Sequence, residues 1–181
     1  MSYGQDGRSS LETDIYGQRY DADGASVGVE FQVNSYTHSY QHHPSITGLE
    51  DGGFVVTWQS NVQDGSGFGI YGQRFDVNGF GYGDEFKIST HTANDQAHTA
   101  VTSLKDGGFA VVWISDGQDG SGYGVYGQLY DASNAIVGEE FSVNNFTSGA
   151  QERPSITSLD DGRFVITWAS FGQDGDDYGI Y

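Results

Sequence analysis

The sequence predicts an all-β chain of propeller-like, four-stranded antiparallel blades, with a β-solenoid as the alternative. Three observations predict it. A Gln-Asp-Gly motif recurs at Gln5-Asp6-Gly7, Gln63-Asp64-Gly65, Gln118-Asp119-Gly120 and Gln173-Asp174-Gly175. Around it, Tyr16, Tyr71, Tyr126 and Tyr181 succeed one another at intervals of 55 residues, as do Trp58, Trp113 and Trp168, and Phe31, Phe86 and Phe141. A fixed period of this length marks a tandem repeat. Finally, 28 Gly and only 2 Pro among 181 residues, with 14% aromatics, favour many short strands joined by tight turns.

In the repeat over 41–95, strand a is expected at 44–49, closed by the turn Glu50-Asp51-Gly52-Gly53. Strand b, Phe54-Val55-Val56-Thr57-Trp58, is apolar on both faces and therefore buried on both sides. The loop 63–67 follows, with glycines that permit positive φ. Strand c, over 70–76, carries Gly72 in its interior. A glycine there weakens a strand unless something must approach closely, so its recurrence as Gly17 and Gly127 predicts tight packing. The hairpin Val77-Asn78-Gly79 leads to strand d over 84–89, with Phe86 and Ile88 on one face.

The same order runs through 96–150. Residues 1–40 hold only c and d, and 151–181 only a, b and c, so the chain reads as one continuous array of two whole and two partial repeats. Strand c is then represented once too often for three closed blades. The expectation is that the chain does not close alone, and that it joins a longer array or completes its sheets with another copy.

Seven Lys+Arg against 25 Asp+Glu give a net charge of −18, which repels nucleic acid and anionic membrane surfaces. No cysteine is present, so disulfides, thiolate metal sites and thiol nucleophiles are excluded. No apolar run approaches the length of a membrane span, so membrane insertion is not expected.

The phrases Gly-Phe-Val-Val-Thr-Trp-Gln-Ser (53–60), Gly-Gln-Asp-Gly-Ser-Gly-Tyr-Gly-Val-Tyr-Gly-Gln (117–128) and Gly83-Asp84-Glu85-Phe86 resemble the tandem repeats of large secreted bacterial surface proteins, the hemolysin-type, RTX-like calcium-binding proteins and adhesins. The resemblance covers nearly the whole chain. It implies secretion or display at the cell surface, calcium dependence and adhesion. The Gly-Gly-x-Gly-x-Asp nonapeptide is missing, so the calcium roll built on that pattern is not implied.

Two candidate sites follow from the residues. The first is calcium at the Gln-Asp-Gly loops, through Asp6, Asp64, Asp119 and Asp174, with help from the strand-end residues Asp76 and Asp131. Calcium requires six to eight oxygens, and each loop offers a carboxylate, a Gln carbonyl and backbone carbonyls freed by glycine. The competing role for each Asp is to cap its turn by accepting from backbone amides. The second candidate is a glycan surface at Phe68, Tyr123 and Tyr178, with Phe80, Tyr82 and Phe171 nearby, since aromatic faces stack on sugar rings. The competing role is to cover blade edges.

Catalysis is not expected. The acidic pairs Glu50-Asp51, Asp84-Glu85, Glu139-Glu140 and Asp160-Asp161 recur with the repeat, whereas an active site on repeats is asymmetric, and the sequence has neither a nucleophile elbow nor a His-Glu-x-x-His. His43 and His98 share a repeat position that Arg153 fills in the next copy, which favours a surface role at the start of strand a. The chain is therefore expected to be a structural or adhesive module that assembles with copies of itself through open strand edges, with a lectin-like propeller for cell-surface glycan as the alternative. The tryptophan series is expected in the core. Trp113→Ala should cost about 3–5 kcal/mol of stability by chemical denaturation; a variant as stable as the parent would remove strand b from the centre of the blade.

Overall fold

A computed structural model describes residues 12–181, and the described residues are all-β with no helix. Thirteen strands form four antiparallel sheets. The first contains β1 (Tyr16–Tyr20) and β2 (Ser26–Gln32). Blade 1 runs in order β3 (Gln41–Gly48), β4 (Phe54–Asn61), β5 (Phe68–Phe75) and β6 (Phe86–Lys87). Blade 2 repeats it with β7 (Gln96–Ser103), β8 (Phe109–Asp116), β9 (Tyr123–Tyr130) and β10 (Ile136–Ser142). Blade 3 holds β11 (Gln151–Ser158), β12 (Phe164–Phe171) and β13 (Tyr178–Ile180). The four strands of each whole blade are thus a, b, c and d in sequence order, and the N- and C-terminal sheets occupy only part of that series.

The strands are longer at the loop end than the sequence suggests. Strand c begins at Phe68, Tyr123 and Tyr178, which pair with Asn61, Asp116 and Phe171, so these aromatics stand on strand ends and not on loop tips. Strand d of blade 1 shrinks to two residues, although Ile88 still donates its N–H to Ile70 and keeps its side chain buried.

Strand b is buried on both sides because the blades stack face to face. Val55 and Ile70 on one face of blade 1 meet Phe109, Val111, Trp113 and Tyr126 of blade 2, while Trp58, Val56 and Tyr71 on the other face meet Ile15, Phe31 and Val33. Trp58 and Trp113 are fully buried. The glycine in strand c makes this stacking possible. A Cβ at Gly72 would lie 2.9 Å from Phe86 Cζ and 3.1 Å from Ile88 Cδ1, and at Gly17 and Gly127 it would lie 2.7 Å from Phe31 and Phe141. The far end of the strand d ring therefore rests directly on the glycine of its own strand c, where any side chain would push it away.

Strand a of each blade lies beside strand a of the next. The Val101 and Ser103 amides donate to Ser45 Oγ (3.3 Å) and Thr47 Oγ1 (3.2 Å), and the Ser158 amide donates to Thr102 Oγ1 (3.3 Å). These inner strands carry a β-bulge at one repeat position, between His42 and Ser45, Ala97 and Ala100, and Glu152 and Ser155. Pro44 and Pro154 are tolerated there because strand a is the edge of its sheet.

Gly72→Ala should cost about 1–3 kcal/mol, because Phe86 is held against Phe109 and Tyr130, at ring distances of 6.4 and 5.5 Å, and cannot retreat. Urea denaturation measures this, and a pairing of Gly72→Ala with Phe86→Leu should recover part of the loss.

Candidate functional site

The calcium candidates occupy two separate places. Asp64, Asp119 and Asp174 lie in the b–c loops, where each accepts from the amide two residues on: Ser66 at 3.3 Å, Ser121 at 3.0 Å and Asp176 at 3.3 Å. Asp76 and Asp131 lie at the other end of strand c, an eight-residue strand about 25 Å long. There Asp76 caps the c–d hairpin through the Asn78 and Phe80 amides, and Asp131 through the amides of Ser133 and Ala135. Strand-end aspartates therefore cannot complete a loop site. Asp64 already has a cation beside it, Lys87 Nζ at 2.8 Å. Among the described residues no group of three or more His, Cys, Asp or Glu side chains lies together in an arrangement that could hold a metal ion, while Gln63 Oε1, Gln118 Oε1 and Gln173 Oε1 in the same loops are buried acceptors without a hydrogen-bond donor. Asp6 lies outside the described residues.

The turn role leaves an electrostatic signature. Backbone hydrogen bonds hold the Asp76 carboxyl below its usual range, and the Ser133 hydroxyl, followed by the Ala135 amide, does the same for Asp131.

The glycan candidates also divide between the two ends. Phe80 and Tyr82 stand exposed by the c–d hairpin, with the Arg74 guanidinium 5.0 Å from the Tyr82 ring centre. Phe68, Tyr123 and Tyr178 share the opposite end, where strand a begins, and the structure brings the histidines of strand a to them. The His42 ring stacks on Tyr40 at 5.5 Å and lies 6.1 Å from Phe68. His42 continues to His43 at 6.1 Å, and His43 reaches across to His98 of blade 2 at 4.9 Å. Beyond His98 a surface cleft of about 290 Å³ is lined by His43, Pro44, His98, Thr99, Arg153 and Pro154. A second cleft, of about 280 Å³, carries the path past Glu152, Arg153 and Trp168 to Tyr178. Tyr178 in turn packs edge-on against Phe171 at 5.3 Å.

The bulges make this arrangement. His43, His98 and Arg153 have φ of 52°, 53° and 54°, a left-handed conformation that non-glycine residues adopt at a cost. One extra residue per strand a turns these three side chains toward one another at the inner edge of the blades. The shared repeat position was visible in the sequence; its convergence was not.

Burial and the neighbouring His43 hold His42 below its ordinary value, and burial followed by His43 does the same for His98. Tyr123 is pushed up by burial and then by Asp116, Asp95 and Glu152. The charges of Asp116, Asp95 and Glu152 thus all act on one phenol at this end of the molecule. Asp95 is also fixed by accepting from the Phe68 amide at 2.9 Å, tying blade 2 to the aromatic strand end of blade 1.

A larger cavity, about 650 Å³, lies elsewhere, between the β1–β2 sheet and blade 1, lined by Ile15, Phe31, Val33, Phe54 and Val56. It exists because β1 and β2 cover only the outer half of blade 1. Ile46 is 64% exposed there, whereas its repeat equivalent Val101 is 8% exposed between blades 1 and 2.

No family model matches this chain, and no curated protein matches it. Solved structures do. An endo-arabinase from Bacteroides thetaiotaomicron is similar with a TM-score of 0.55 at 16% identity, over 89% of this chain and 61% of that one. A thermostable family-43 glycoside hydrolase gives 0.54 at 12%, over 94% and 67%, and an alpha-L-arabinofuranosidase from Lactobacillus brevis gives 0.53 at 11%, over 93% and 57%. The fold is propeller-like. The chain spans 61% of the length of the endo-arabinase, and at these identities the likeness is one of fold.

The comparisons correct one expectation. The chain was expected not to be an enzyme because its acidic pairs recur symmetrically, yet the similar structures are those of an endo-arabinase, a family-43 glycoside hydrolase and an alpha-L-arabinofuranosidase. Repetition along the sequence is therefore no ground for excluding catalysis in this fold. The physical reason is visible here too, since equivalent positions carry different groups: Ala97 and Glu152 both precede the bulge residue, and only one is a carboxylate.

For Asp131, a folded-state value below the unfolded one means that its contribution to stability is present above about pH 4, the usual carboxylate range, and is lost as pH falls through the folded value. Melting temperatures of the parent and of Asp131→Asn should therefore differ at pH 7 and converge once pH falls below the folded-state value. A difference that persists unchanged at low pH would mean that the charge of Asp131 plays no part in the cap.

Proposed function

We propose that this chain is a propeller-like glycan-binding module whose ligand lies along the loop-end face, from Phe68 and the Tyr40–His42 stack to Tyr178. The observation that carries this reading is the run of rings Tyr40, His42, Phe68, His43 and His98, which crosses two blades at separations of 4.9–6.1 Å. Spaced aromatic faces offer successive platforms to the apolar faces of sugar rings, and flanking carboxylates accept from hydroxyls. Asp95, Asp116 and Glu152 around Tyr123 are such acceptors. The similar structures, an endo-arabinase, a family-43 glycoside hydrolase and an alpha-L-arabinofuranosidase among them, support the same reading.

Glycoside hydrolysis employs two carboxyl groups on either side of the scissile bond. The carboxylates around Tyr123 are the place to look for such a pair, and any bound oligosaccharide should be assayed for released reducing sugar with both the parent and Glu152→Gln. The extracellular setting implied by the repeat resemblance would bring the chain into contact with polysaccharides.

Calorimetry against arabino- and xylo-oligosaccharides, after a glycan-array screen, tests the proposal. Phe68→Ala and Tyr178→Ala should each weaken binding by up to about tenfold, the size of one lost stacking contact. Tyr178 is 53% exposed, so its removal should leave the fold intact. An array without any glycan hit would overturn the proposal.

A further inference from the structure

The chain has only seven Lys+Arg against 25 Asp+Glu, so each cation would be expected to be paired. Among the described residues three cations are ion-paired, two donate only to backbone carbonyls, and one has neither kind of partner. Arg19 donates to Val77 O, Arg74 pairs with Asp51, Lys87 with Asp64 and Arg163 with Asp161, and Lys105 donates to Asp160 O. Arg153 makes no hydrogen bond or ion pair. It stands instead in the cleft with His43 and His98, in the strained bulge conformation that turns all three inward. Its neighbour in sequence, Glu152, lines the adjoining cleft with Trp168 and Tyr178.

We propose that the cleft formed by His43, His98 and Arg153 binds the carboxylate of an acidic sugar, making this chain selective for glycans that carry isolated uronic acid units on a neutral backbone. The inference rests on the glycan-binding reading above and specifies its ligand. A guanidinium offers a carboxylate two parallel N–H donors, and the two imidazoles can add a donor each from the opposite wall. An arginine held free of internal partners keeps those donors available. Global charge narrows the ligand further. At −18 the chain repels polyanions over long range, whereas a single carboxylate within a neutral oligosaccharide meets mainly the local cleft once salt limits interactions to about 8 Å. The aromatic run from His42 to Phe68 leads away from the cleft and suits the neutral sugars on either side.

The test is calorimetric titration of the chain, in roughly 150 mM salt, with a xylotriose bearing one glucuronic acid branch, with unsubstituted xylotetraose, and with an oligogalacturonate as the polyanion. The acidic branched sugar is expected to bind about tenfold more tightly than the neutral one, in the range of a charge-assisted hydrogen-bonded pair, and more tightly than the polyanion. Arg153→Ala should bring the ratio of acidic to neutral affinity near one, and Arg153→Lys should restore it in part, with the melting temperature unmoved because Arg153 has no internal partner. Equal affinity of the parent for the acidic and neutral sugars overturns acid selectivity while leaving the glycan reading in place. Tightest binding to the polyanion overturns the isolated-carboxylate assignment. Failure of both the acidic and the neutral sugar to bind overturns acid selectivity and counts against the glycan reading, which the array decides.

Discussion

Strand b cannot exist alone. It is apolar on both faces, so each blade gains stability from a neighbour on either side, and the described residues supply three such blade-to-blade interfaces. The burial of equivalent positions shows the dependence. Val55 and Ala110 are 0% and 1% exposed where a following blade covers them, and Val165, on the face of blade 3, is 45% exposed. Stacking also explains the spacing of glycines, because the ring tips of Phe31, Phe86 and Phe141 occupy the space a side chain at Gly17, Gly72 or Gly127 would need.

Stacking brings the inner strands side by side, and hydroxyl-to-amide hydrogen bonds between successive strands a fix their relative height. Once heights are fixed, a bulge at the same repeat position in each strand points three side chains at a common place. The scaffold is symmetric while its side chains are not. His43 and His98 are followed by Arg153, and Ala97 stands where Glu152 stands in the next repeat. In this way a repeat can carry a one-sided site without breaking its packing.

Much of the fold was legible before the structure. The four-strand order, the doubly buried strand b, the crowding at Gly72 and the c–d hairpin all follow from local rules of periodicity and turn chemistry, and each is present. The site was legible only in part. Phe68, Tyr123 and Tyr178 were identifiable as unusual aromatics, and the turn-cap role of the b–c aspartates was foreseeable beside the cation role, but the lysine beside Asp64 was not. Asp64 and Lys87 are 23 positions apart in the chain and meet only because strands c and d pair, which no motif records. The convergence of the Asp95, Asp116 and Glu152 charges on Tyr123 comes from two different blades and was equally invisible.

By itself, the sequence determined the repeat unit, its strands, its turns and which face of each strand is apolar, because these depend on residues within a few positions of one another. Only the tertiary structure decided which polar groups are already satisfied and which are left to bind something else. That difference depends on contacts between blades. Arg153 in the sequence is one cation among seven; in the folded chain it is the described cation left without a partner, facing two imidazoles, His43 and His98, that lie 110 and 55 residues earlier in the chain.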